Sequence, residues 1–446
     1  MRALRLARRP GRQPADASLL AARARAAPPA RSAWPRIFAV AALAGARRRV
    51  PGPGVRGRAR GAARRRRRDH GGAGARSATA QTGCAPGGRT PLRLRDPRAC
   101  GRQSGSRLCV RRGLRSTGRA MNRTTLSEQF FRDQASASAT GGLSTVLNRL
   151  SLVARMLASE IMRAGFVGKL GYTGTTNVQD EDVRALDVIA NDTTLQVFEN
   201  MPMMAAIASE EMEDMHVLPG GQDGKYLLAI DPLDGSGNVD VAGQMGTIFG
   251  IYRRREPGRP VQMDEFFQPG RDLIAAGYVL YGPCTMMVYT AGGPVNGFTL
   301  DRSIGTFFLT HPDLRIPEGS GAYSVNEANE VKWDDKTRAM VAAFRRQEAD
   351  CGKRAARYAG ALVGDFHRTL LKGGIYMYPG TTDKPQGKLR LLYENAPLAF
   401  VCECAGGAAS DGRQPVLDIV PEGLHQRTPL YLGSKGDVAE AVRRLR

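Results

Sequence analysis

The sequence predicts a layered α/β fold of two adjacent subdomains, preceded by a disordered N-terminal extension. Helical and extended apolar patterns alternate through residues 121–446 without an internal repeat, which is typical of helices packed on sheets. This stretch of 326 residues is large for one hydrophobic core and suits two subdomains. A sharp change of composition at about Met121 separates it from the residues before it.

Residues 1–120 differ chemically from the rest of the chain. They contain 31 Arg, no Lys, three Asp and no Glu, whereas residues 121–446 carry 34 basic and 39 acidic side chains. Their Ala, Gly, Pro and Arg show no apolar periodicity, which predicts disorder. Three interpretations stay open: an arm that binds nucleic acid, an organelle transit peptide, or translation assigned from an upstream start in GC-rich DNA. The absence of Lys favours the third, with Met121 as the true start.

The elements of residues 121–446 follow from apolar spacing. Intervals of three and four residues predict helices over 143–164, with Ser144 or Thr145 as the cap, and over 182–199. Apolar runs predict strands at 203–208, 226–231, 246–253, 273–281, 285–290 and 297–300. Later segments predict helices at 341–344, 360–371 and 389–405, and strands at 375–378, 416–419 and 429–432. We place the subdomain boundary near residue 312 and expect no membrane span, because no apolar stretch is long enough.

The segment Asp231-Pro-Leu-Asp-Gly-Ser-Gly-Asn238 carries the clearest chemical signal. It follows the apolar run 226–230, and Pro232 and Gly235 predict a sharp turn. Such a turn lets the Asp231 and Asp234 carboxylates converge and leaves the following amides to face an anion. Hard oxygen ligands beside a small-residue turn are typical of Mg²⁺ or Mn²⁺ bridging to a phosphate. The alternative is an Asx-turn in which the acids only cap backbone amides.

Further acids stand at the ends of predicted elements. Glu210 and Glu211 follow the strand at 203–208, Glu181 and Asp187 flank the start of the second helix, and Glu394 lies on the late helix. A site for two divalent ions needs carboxylates from several elements, because each ion prefers about six oxygen ligands. The alternative for an adjacent Glu-Glu pair is a solvated helix face.

Residues 140–446 resemble the class 1 fructose-1,6-bisphosphatases in a series of motifs that occur in order along the chain. The matching segments are 177–179, 186–188, 209–211, 231–238, 246–252, 268–271, 275–278, 373–379 and 387–394. The resemblance implies an α/β/α/β/α sandwich of the sugar-phosphatase type. Residues 121–312 would form an N-terminal subdomain for metal and AMP, and residues 313–446 a C-terminal subdomain for the sugar phosphate.

The resemblance also implies an activity, which is Mg²⁺-dependent hydrolysis of the 1-phosphate of fructose 1,6-bisphosphate in gluconeogenesis or the Calvin cycle. The enzyme would be a cytoplasmic homotetramer with two or three Mg²⁺ per subunit and Mn²⁺ as a substitute. The implied metal ligands are Glu181, Glu210, Asp231, Leu233 through its carbonyl, Asp234 and Glu394. Asp187 and Glu211 would orient or deprotonate the attacking water. Glu181 replaces the more usual Asp and is one methylene longer.

The remaining implied residues bind phosphates. Those for the 1-phosphate are Asp234, Gly235, Ser236 and Gly237; those for the 6-phosphate are Asn326, Tyr358, Tyr378 and Lys388, with Arg357 reaching a neighbouring subunit. Asn329 departs from a Tyr of some relatives, which predicts a weaker or rearranged pocket. An implied AMP site comprises Thr140, Gly141, Leu143, Ser144, Lys225 and Tyr226. An ordinary helix cap is the alternative there, because Thr and Ser supply such caps in most proteins. Gly142 departs from the Glu that is typical of this loop.

Three other functions are alternatives to this one. The same chemistry could act on sedoheptulose 1,7-bisphosphate, alone or in addition. A relative that hydrolyses inositol phosphates or phosphoadenosine would share the Asp-rich turn but would not need Asn326 and Lys388. A nucleic-acid-binding protein would use the basic arm on phosphates, and this is the disfavoured alternative.

Overall fold

The computed structural model describes residues 124–137, 141–166, 172–176, 182–319, 321–348 and 352–446. The Arg-rich residues 1–120, Thr140 and Glu181 lie outside the described residues. The described residues form seven α-helices: α1 (Leu126–Ala137), α2 (Gly142–Arg163), α3 (Ala185–Phe198), α4 (Asp335–Arg346), α5 (Leu362–Lys372), α6 (Ala396–Cys404) and α7 (Lys435–Leu445).

Fifteen strands run through the same described residues. The first ten are β1 (Tyr172–Thr176), β2 (Asp182–Arg184), β3 (Met204–Ser209), β4 (His216–Val217), β5 (Tyr226–Asp234), β6 (Met245–Arg253), β7 (Leu273–Tyr281), β8 (Met286–Thr290), β9 (Val295–Asp301) and β10 (Thr306–Leu314). The last five are β11 (Ala322–Ser324), β12 (Ala355–Ala356), β13 (Gly374–Tyr378), β14 (Ala408–Ser410) and β15 (Leu430–Gly433).

The strands form two main sheets. The larger has eight strands in the order β10-β9-β8-β7-β6-β5-β3-β4, and the smaller has five in the order β12-β11-β13-β15-β14. In the larger sheet β3 and β5 are parallel and β5 pairs with β6 antiparallel. Strands β1 and β2 form a separate two-stranded sheet. Since β3 and β5 run side by side in one direction, their carboxyl ends lie at the same edge of the larger sheet.

Successive side chains of the buried strands face different hydrophobic cores, and this produces five layers. In β5, Leu228 and Ile230 pack in the core that holds α1–α3, whereas Leu227 and Ala229 face the core that holds α5 and α6. In β13, Tyr376 belongs to the α5 and α6 core, and its neighbours Ile375 and Met377 pack with α4 and α7. The order helix, sheet, helix, sheet, helix confirms the predicted sandwich.

Four sequence predictions about local structure were wrong. Residues 182–184 are in β2, so the helix there begins at Ala185. The apolar run at 416–419 is a 3₁₀ turn, because Val416 and Leu417 are buried without strand pairing. The helix expected over 389–405 is a π turn, Leu391–Asn395, followed by α6. Neither Ser144 nor Thr145 caps α2, since their hydroxyls donate to the carbonyls of Phe130 and Gly141.

Strand β10 runs past residue 312 to Leu314, and the division of the chain into two subdomains stays a prediction. Among the described helices, none combines the length and apolar character that a membrane span requires.

Candidate metal and phosphate site

The ends of two parallel strands bring the first acids together. Strand β3 ends at Ser209, directly before Glu210 and Glu211, and Ser209 pairs with Ile230 of β5. The Glu210 amide donates to the Ile230 carbonyl at 3.1 Å. Glu210 therefore lies beside Asp231, as the sequence predicted from the strand ends.

The predicted turn at Pro232 was wrong, because β5 continues to Asp234. The ladder with β6 shifts its register between Asp231 and Asp234, which accommodates a residue that has no amide hydrogen. The Pro232 carbonyl accepts a hydrogen bond from the Thr247 hydroxyl at 2.9 Å. Despite this irregularity, the Asp231 and Asp234 side chains both line one cavity, which we call the acidic cavity.

Three buried carboxylates converge in this cavity. One oxygen from each of Asp231, Asp234 and Glu394 lies within 4.8 Å of the other two. Glu394 comes from the π turn before α6, so the group combines two distant parts of the chain. The surrounding cavity, about 260 Å³ in volume, is lined by these sequence-predicted residues: Asp187, Glu210, Glu211, Asp231, Leu233, Asp234, Gly235, Ser236, Gly237, Tyr358, Tyr378, Lys388 and Glu394.

The acids of this cavity hold their protons strongly when no cation is bound. Burial, followed by repulsion from Glu210 and Asp234, raises the pKa of Asp231 well above its ordinary value. Burial and the Glu210 charge raise the pKa of Glu394 to about 8. Burial raises the pKa of Asp234 to about 6, against the stabilising backbone amides of Val363 and Leu362. Like charges in a desolvated site favour either protonation or a bound cation.

The N-terminus of α5 holds Asp234 in place. The amides of Leu362 and Val363 donate to the two Asp234 oxygens at 3.3 and 2.7 Å. The Asp365 carboxylate, one turn into the same helix, accepts the Ala359 amide at 2.9 Å and the Gly360 amide at 3.2 Å. One helix end therefore fixes both an acid of the cavity and the segment that carries Tyr358.

Asp187 stands at the first turn of α3 with one oxygen available. Its Oδ2 accepts the Arg184 amide at 3.0 Å, and its Oδ1 has no hydrogen-bond partner among the described residues. Burial raises the pKa of Asp187 to about 6, although hydrogen bonds from the Arg184 amide and the Ser236 side chain act in the opposite direction. A buried carboxylate with one unsatisfied oxygen on a cavity wall is suited to bind water or accept a proton.

The small-residue turn after β5 forms part of the cavity wall through Gly235, Ser236 and Gly237. Gly235 has φ +74°, and a 3₁₀ helix, Ser236–Val241, follows it. The first amides of a helix have no carbonyl partner within that helix. A side chain at Gly235 would come within 2.6 Å of the Ala361 Cβ, so only glycine permits this approach to α5.

The predicted residues for the second phosphate divide into two groups. Tyr358, Tyr378 and Lys388 line the acidic cavity, whereas Asn326 and Arg357 are not among its lining residues. The Asn326 side chain accepts the Ala328 amide at 3.2 Å and caps a 3₁₀ turn. Arg357 is exposed and donates to the Ala356 carbonyl at 2.6 Å.

Sequence reasoning missed Arg390, which is buried in the same cavity. Its Nη1 lies 2.9 Å from Glu210 Oε1, and its amide donates to Glu394. The available signal was a single Arg between Leu389 and Leu391, since a buried cation needs a buried carboxylate partner. Tyr376 and Leu362 also line the cavity without having been predicted.

The residues of the predicted AMP site are only partly brought together. A side chain at Gly142 would come within 3.0 Å of the Tyr226 ring, so the start of α2 lies against Tyr226. Leu143 packs on the α1–α3 core, Lys225 is exposed, and the Ser144 hydroxyl donates to the Phe130 carbonyl. AMP binding at this position stays a prediction.

Residues 124–312 match the family model for the fructose-1-6-bisphosphatase N-terminal domain, and residues 316–446 match the model for its C-terminal domain. A class 1 fructose-1,6-bisphosphatase of Sorangium cellulosum is 48% identical over 305 residues, which are 68% of this chain and 88% of that relative. One of Crocosphaera subtropica is 46% identical over 319 residues, covering 71% and 90% of the two chains.

A solved structure resembles the described fold. The holo form of Leishmania major fructose-1,6-bisphosphatase aligns with a TM-score of 0.68 at 36% sequence identity. The alignment covers 72% of this chain and 98% of that one.

Proposed function

Since this chain belongs to the fructose-1,6-bisphosphatase family and hydrolyses fructose 1,6-bisphosphate, we propose that its acidic cavity removes the 1-phosphate with bound Mg²⁺. Members of this family depend on a metal ion. We propose that the ion here is Mg²⁺ and that residues of the acidic cavity bind it. One observation carries it: three buried carboxylates lie within 4.8 Å of one another, in a cavity whose wall also includes Lys388 and two Tyr.

The donor set fits a hard divalent cation. Asp231, Asp234 and Glu394 offer only oxygen, which Mg²⁺ and Mn²⁺ prefer. Burial is the first cause of their raised pKa values. The ionised acids therefore lack enough positive charge nearby, and a bound cation would supply it. We propose that these three acids, Glu210 and the Leu233 carbonyl hold two or three Mg²⁺, with Mn²⁺ as a substitute.

A bound Mg²⁺ would polarise the phosphoryl oxygens and stabilise the leaving alkoxide of an ester that otherwise hydrolyses very slowly. The residues of the chain itself have separate tasks. Asp187 and Glu211 accept the proton of the attacking water, supported by the unsatisfied Oδ1 of Asp187 on the cavity wall. The amides of Gly235, Ser236 and Gly237 donate to the 1-phosphate.

The second phosphate provides selectivity for a bisphosphate. Lys388 supplies a positive charge, and Tyr358 and Tyr378 supply hydroxyl donors on the same cavity wall. Asn326 and Arg357 complete this pocket only if the substrate or a neighbouring subunit brings them closer. We therefore propose a homotetramer in which Arg357 serves the neighbouring site.

The remaining proposals concern regulation and location. AMP would bind at the start of α2, beside Tyr226, and reduce activity. We infer a reducing cytoplasm, which agrees with the free thiols Cys284, Cys402 and Cys404 among the described residues.

The test is phosphate release from fructose 1,6-bisphosphate with and without Mg²⁺, comparing wild type with Asp231→Asn. We expect the variant to lose at least about 100-fold in kcat, because it loses a charged ligand to the metal. Wild type that is fully active after chelation of all divalent ions contradicts the proposed metal role.

A further inference from the structure

The irregular part of β5 lies between the two acids of the strand. Asp231 pairs with Ile248 of β6, whereas Asp234 pairs with Gly246, so β5 carries one residue more than β6 over this stretch. Such a bulge disrupts the ladder locally, and Pro232 has no amide hydrogen to donate to it. The separation of the two carboxylates therefore depends on what fixes the bulge.

Two side-chain hydroxyls hold this bulge. The Thr247 hydroxyl donates to the Pro232 carbonyl at 2.9 Å, and its oxygen lies 2.9 Å from the Tyr281 hydroxyl. A threonine hydroxyl has one hydrogen and a carbonyl can only accept, so Tyr281 donates to Thr247. Both residues are only 2% exposed. Burial raises the pKa of Tyr281, so its hydroxyl keeps the proton that it donates.

The same bulge orients one of the acids. The Leu233 amide, directly after Pro232, donates to Asp231 Oδ1 at 3.0 Å. Asp234 is held separately, by the amides at the start of α5. A shift of the Pro232 carbonyl would move the Leu233 amide with it, because the two share one peptide plane. The Asp231 carboxylate would then turn relative to Asp234.

Thr247 and Tyr281 act on the acids from outside the acidic cavity. Neither belongs to the described residues that line it, and Tyr281 packs in the core that holds α1–α3. An effect of these two hydroxyls on a ligand in the cavity must therefore pass through the backbone of β5.

We propose that Tyr281 and Thr247 are positioning residues, which set the separation of the Asp231 and Asp234 carboxylates and thereby the affinity of the acidic cavity for a divalent cation. This inference rests on the proposed metal role of that cavity. Mg²⁺ demands near-ideal octahedral oxygen ligands, so a small displacement of one carboxylate weakens its binding. Replacing a residue that orients metal ligands typically lowers metal affinity by about 10- to 100-fold.

The test measures Mn²⁺ binding by the metal-free protein, from the electron paramagnetic resonance signal of the free ion. Thr247→Val keeps the side-chain shape but loses the hydroxyl, and we expect it to weaken binding about tenfold. Thr247→Ser keeps the hydroxyl and should bind within about twofold of wild type. Tyr281→Phe removes only the donor to Thr247 and should weaken binding about threefold.

Tyr252→Phe is the matched control. Tyr252 is a buried tyrosine of β6, and its hydroxyl has no hydrogen-bond partner among the described residues, so the variant should bind Mn²⁺ as wild type does. The double variant of Thr247→Val and Tyr281→Phe should bind no more weakly than Thr247→Val alone. Both changes break the same chain of hydrogen bonds, so their effects are not additive.

A purely structural role of the two hydroxyls predicts a different result. The Thr247→Val and Tyr281→Phe variants would then have a lower Tm in EDTA but would bind Mn²⁺ as wild type does. That result, or an equal loss of affinity in Tyr252→Phe, overturns the inference and leaves the proposed function intact. Should Thr247→Val fail to fold, unchanged binding by Tyr281→Phe overturns it. Wild type that binds no Mn²⁺ would contradict the proposed metal role itself.

Discussion

At the scale of single residues, Arg390 has a particular role in the acidic cavity. It is buried, its guanidinium lies 2.9 Å from Glu210, and its amide binds Glu394. A buried carboxylate without a cation is strongly destabilising, whereas a complete buried pair is close to neutral. Arg390 therefore neutralises the charge of Glu210 in the metal-free protein. Asp231, Asp234 and Glu394 still need a cation to balance their charge.

Replacing Arg390 should destabilise the metal-free protein. We expect Arg390→Gln to lower the free energy of unfolding by about 3 kcal/mol, since it removes the cation that lies 2.9 Å from buried Glu210. Urea denaturation in EDTA measures this. Arg345→Gln is the control, because Arg345 pairs with Glu327 and Glu330 in solvent and should contribute less than about 1 kcal/mol. Equal losses in the two variants would argue against a special role for the buried pair.

The raised pKa values of the acids predict a pH dependence. In the metal-free folded protein the pKa of Glu394 is about 8 and that of Asp234 is about 6, so these groups keep protons that the unfolded chain releases near pH 4 to 5. Their contribution to stability is present below the unfolded pKa and is lost as the pH rises through the folded pKa.

Urea denaturation in EDTA between about pH 5 and pH 8.5 should show this fall. Glu394→Gln, which cannot ionise, should make the curve flatter over the same interval. Saturating Mg²⁺ should flatten it in wild type as well, because the bound ion favours the ionised acids. A wild-type curve that rises towards pH 8 in EDTA would refute the assignment of these shifts.

At the scale of elements, helix α5 connects the acids to the sugar-phosphate wall. The amides of Leu362 and Val363 at its start donate to Asp234. Asp365 in its first turn accepts hydrogen bonds from the amides of Ala359 and Gly360. This arrangement requires α5 to approach the turn after β5 very closely. Gly235 permits the approach through a positive φ and the absence of a side chain.

The two glycines of this turn should respond differently to substitution. Gly235→Ala places a Cβ 2.6 Å from Ala361 in a left-handed backbone conformation, so we expect a loss of about 1–3 kcal/mol in stability and a large fall in kcat. Gly237→Ala is the matched control, since a Cβ there meets no atom within 4 Å. Thermal unfolding should separate the two variants, and equal losses of stability would contradict the close approach of α5 to this turn.

At the scale of the whole molecule, the acidic cavity draws on four of the five layers, since Asp187 of α3 also lines it. Glu210 directly follows β3 and Asp231 lies in β5 of the larger sheet, whereas Glu394 precedes α6 in the middle layer. Tyr378 ends a strand of the smaller sheet. A ligand that binds all of these parts only when they are assembled favours the folded state over the unfolded one.

Mg²⁺ should therefore raise the thermal stability of the whole protein. At a free concentration 100 times its Kd, one site contributes about 2.7 kcal/mol. Differential scanning calorimetry with increasing Mg²⁺ should show a rising Tm in wild type. Asp231→Asn should respond much less, and a Tm in wild type that does not depend on Mg²⁺ would argue against binding at the assembled site.

Sequence reasoning was most successful where local pattern and chemistry coincide. Asp231 and Asp234 stand at the end of a long apolar strand, and their convergence was predicted although β5 does not turn at Pro232 as expected. Strands such as β11 and β14 contain three residues each and were missed, because so short a segment has no detectable period. The amides of Leu362 and Val363 could not be foreseen as partners of Asp234, since backbone donors carry no sequence signal and lie more than 100 residues away.

The position of β15 has a consequence for how the chain acquires its shape during synthesis. β15 pairs with β13 on one side and with β14 on the other, although it follows both along the chain. A growing polypeptide on the ribosome therefore cannot close the smaller sheet progressively. Until residues 430–433 emerge, β14 has no neighbour in that sheet, and a nascent chain of this length would depend on late, long-range docking or on a chaperone.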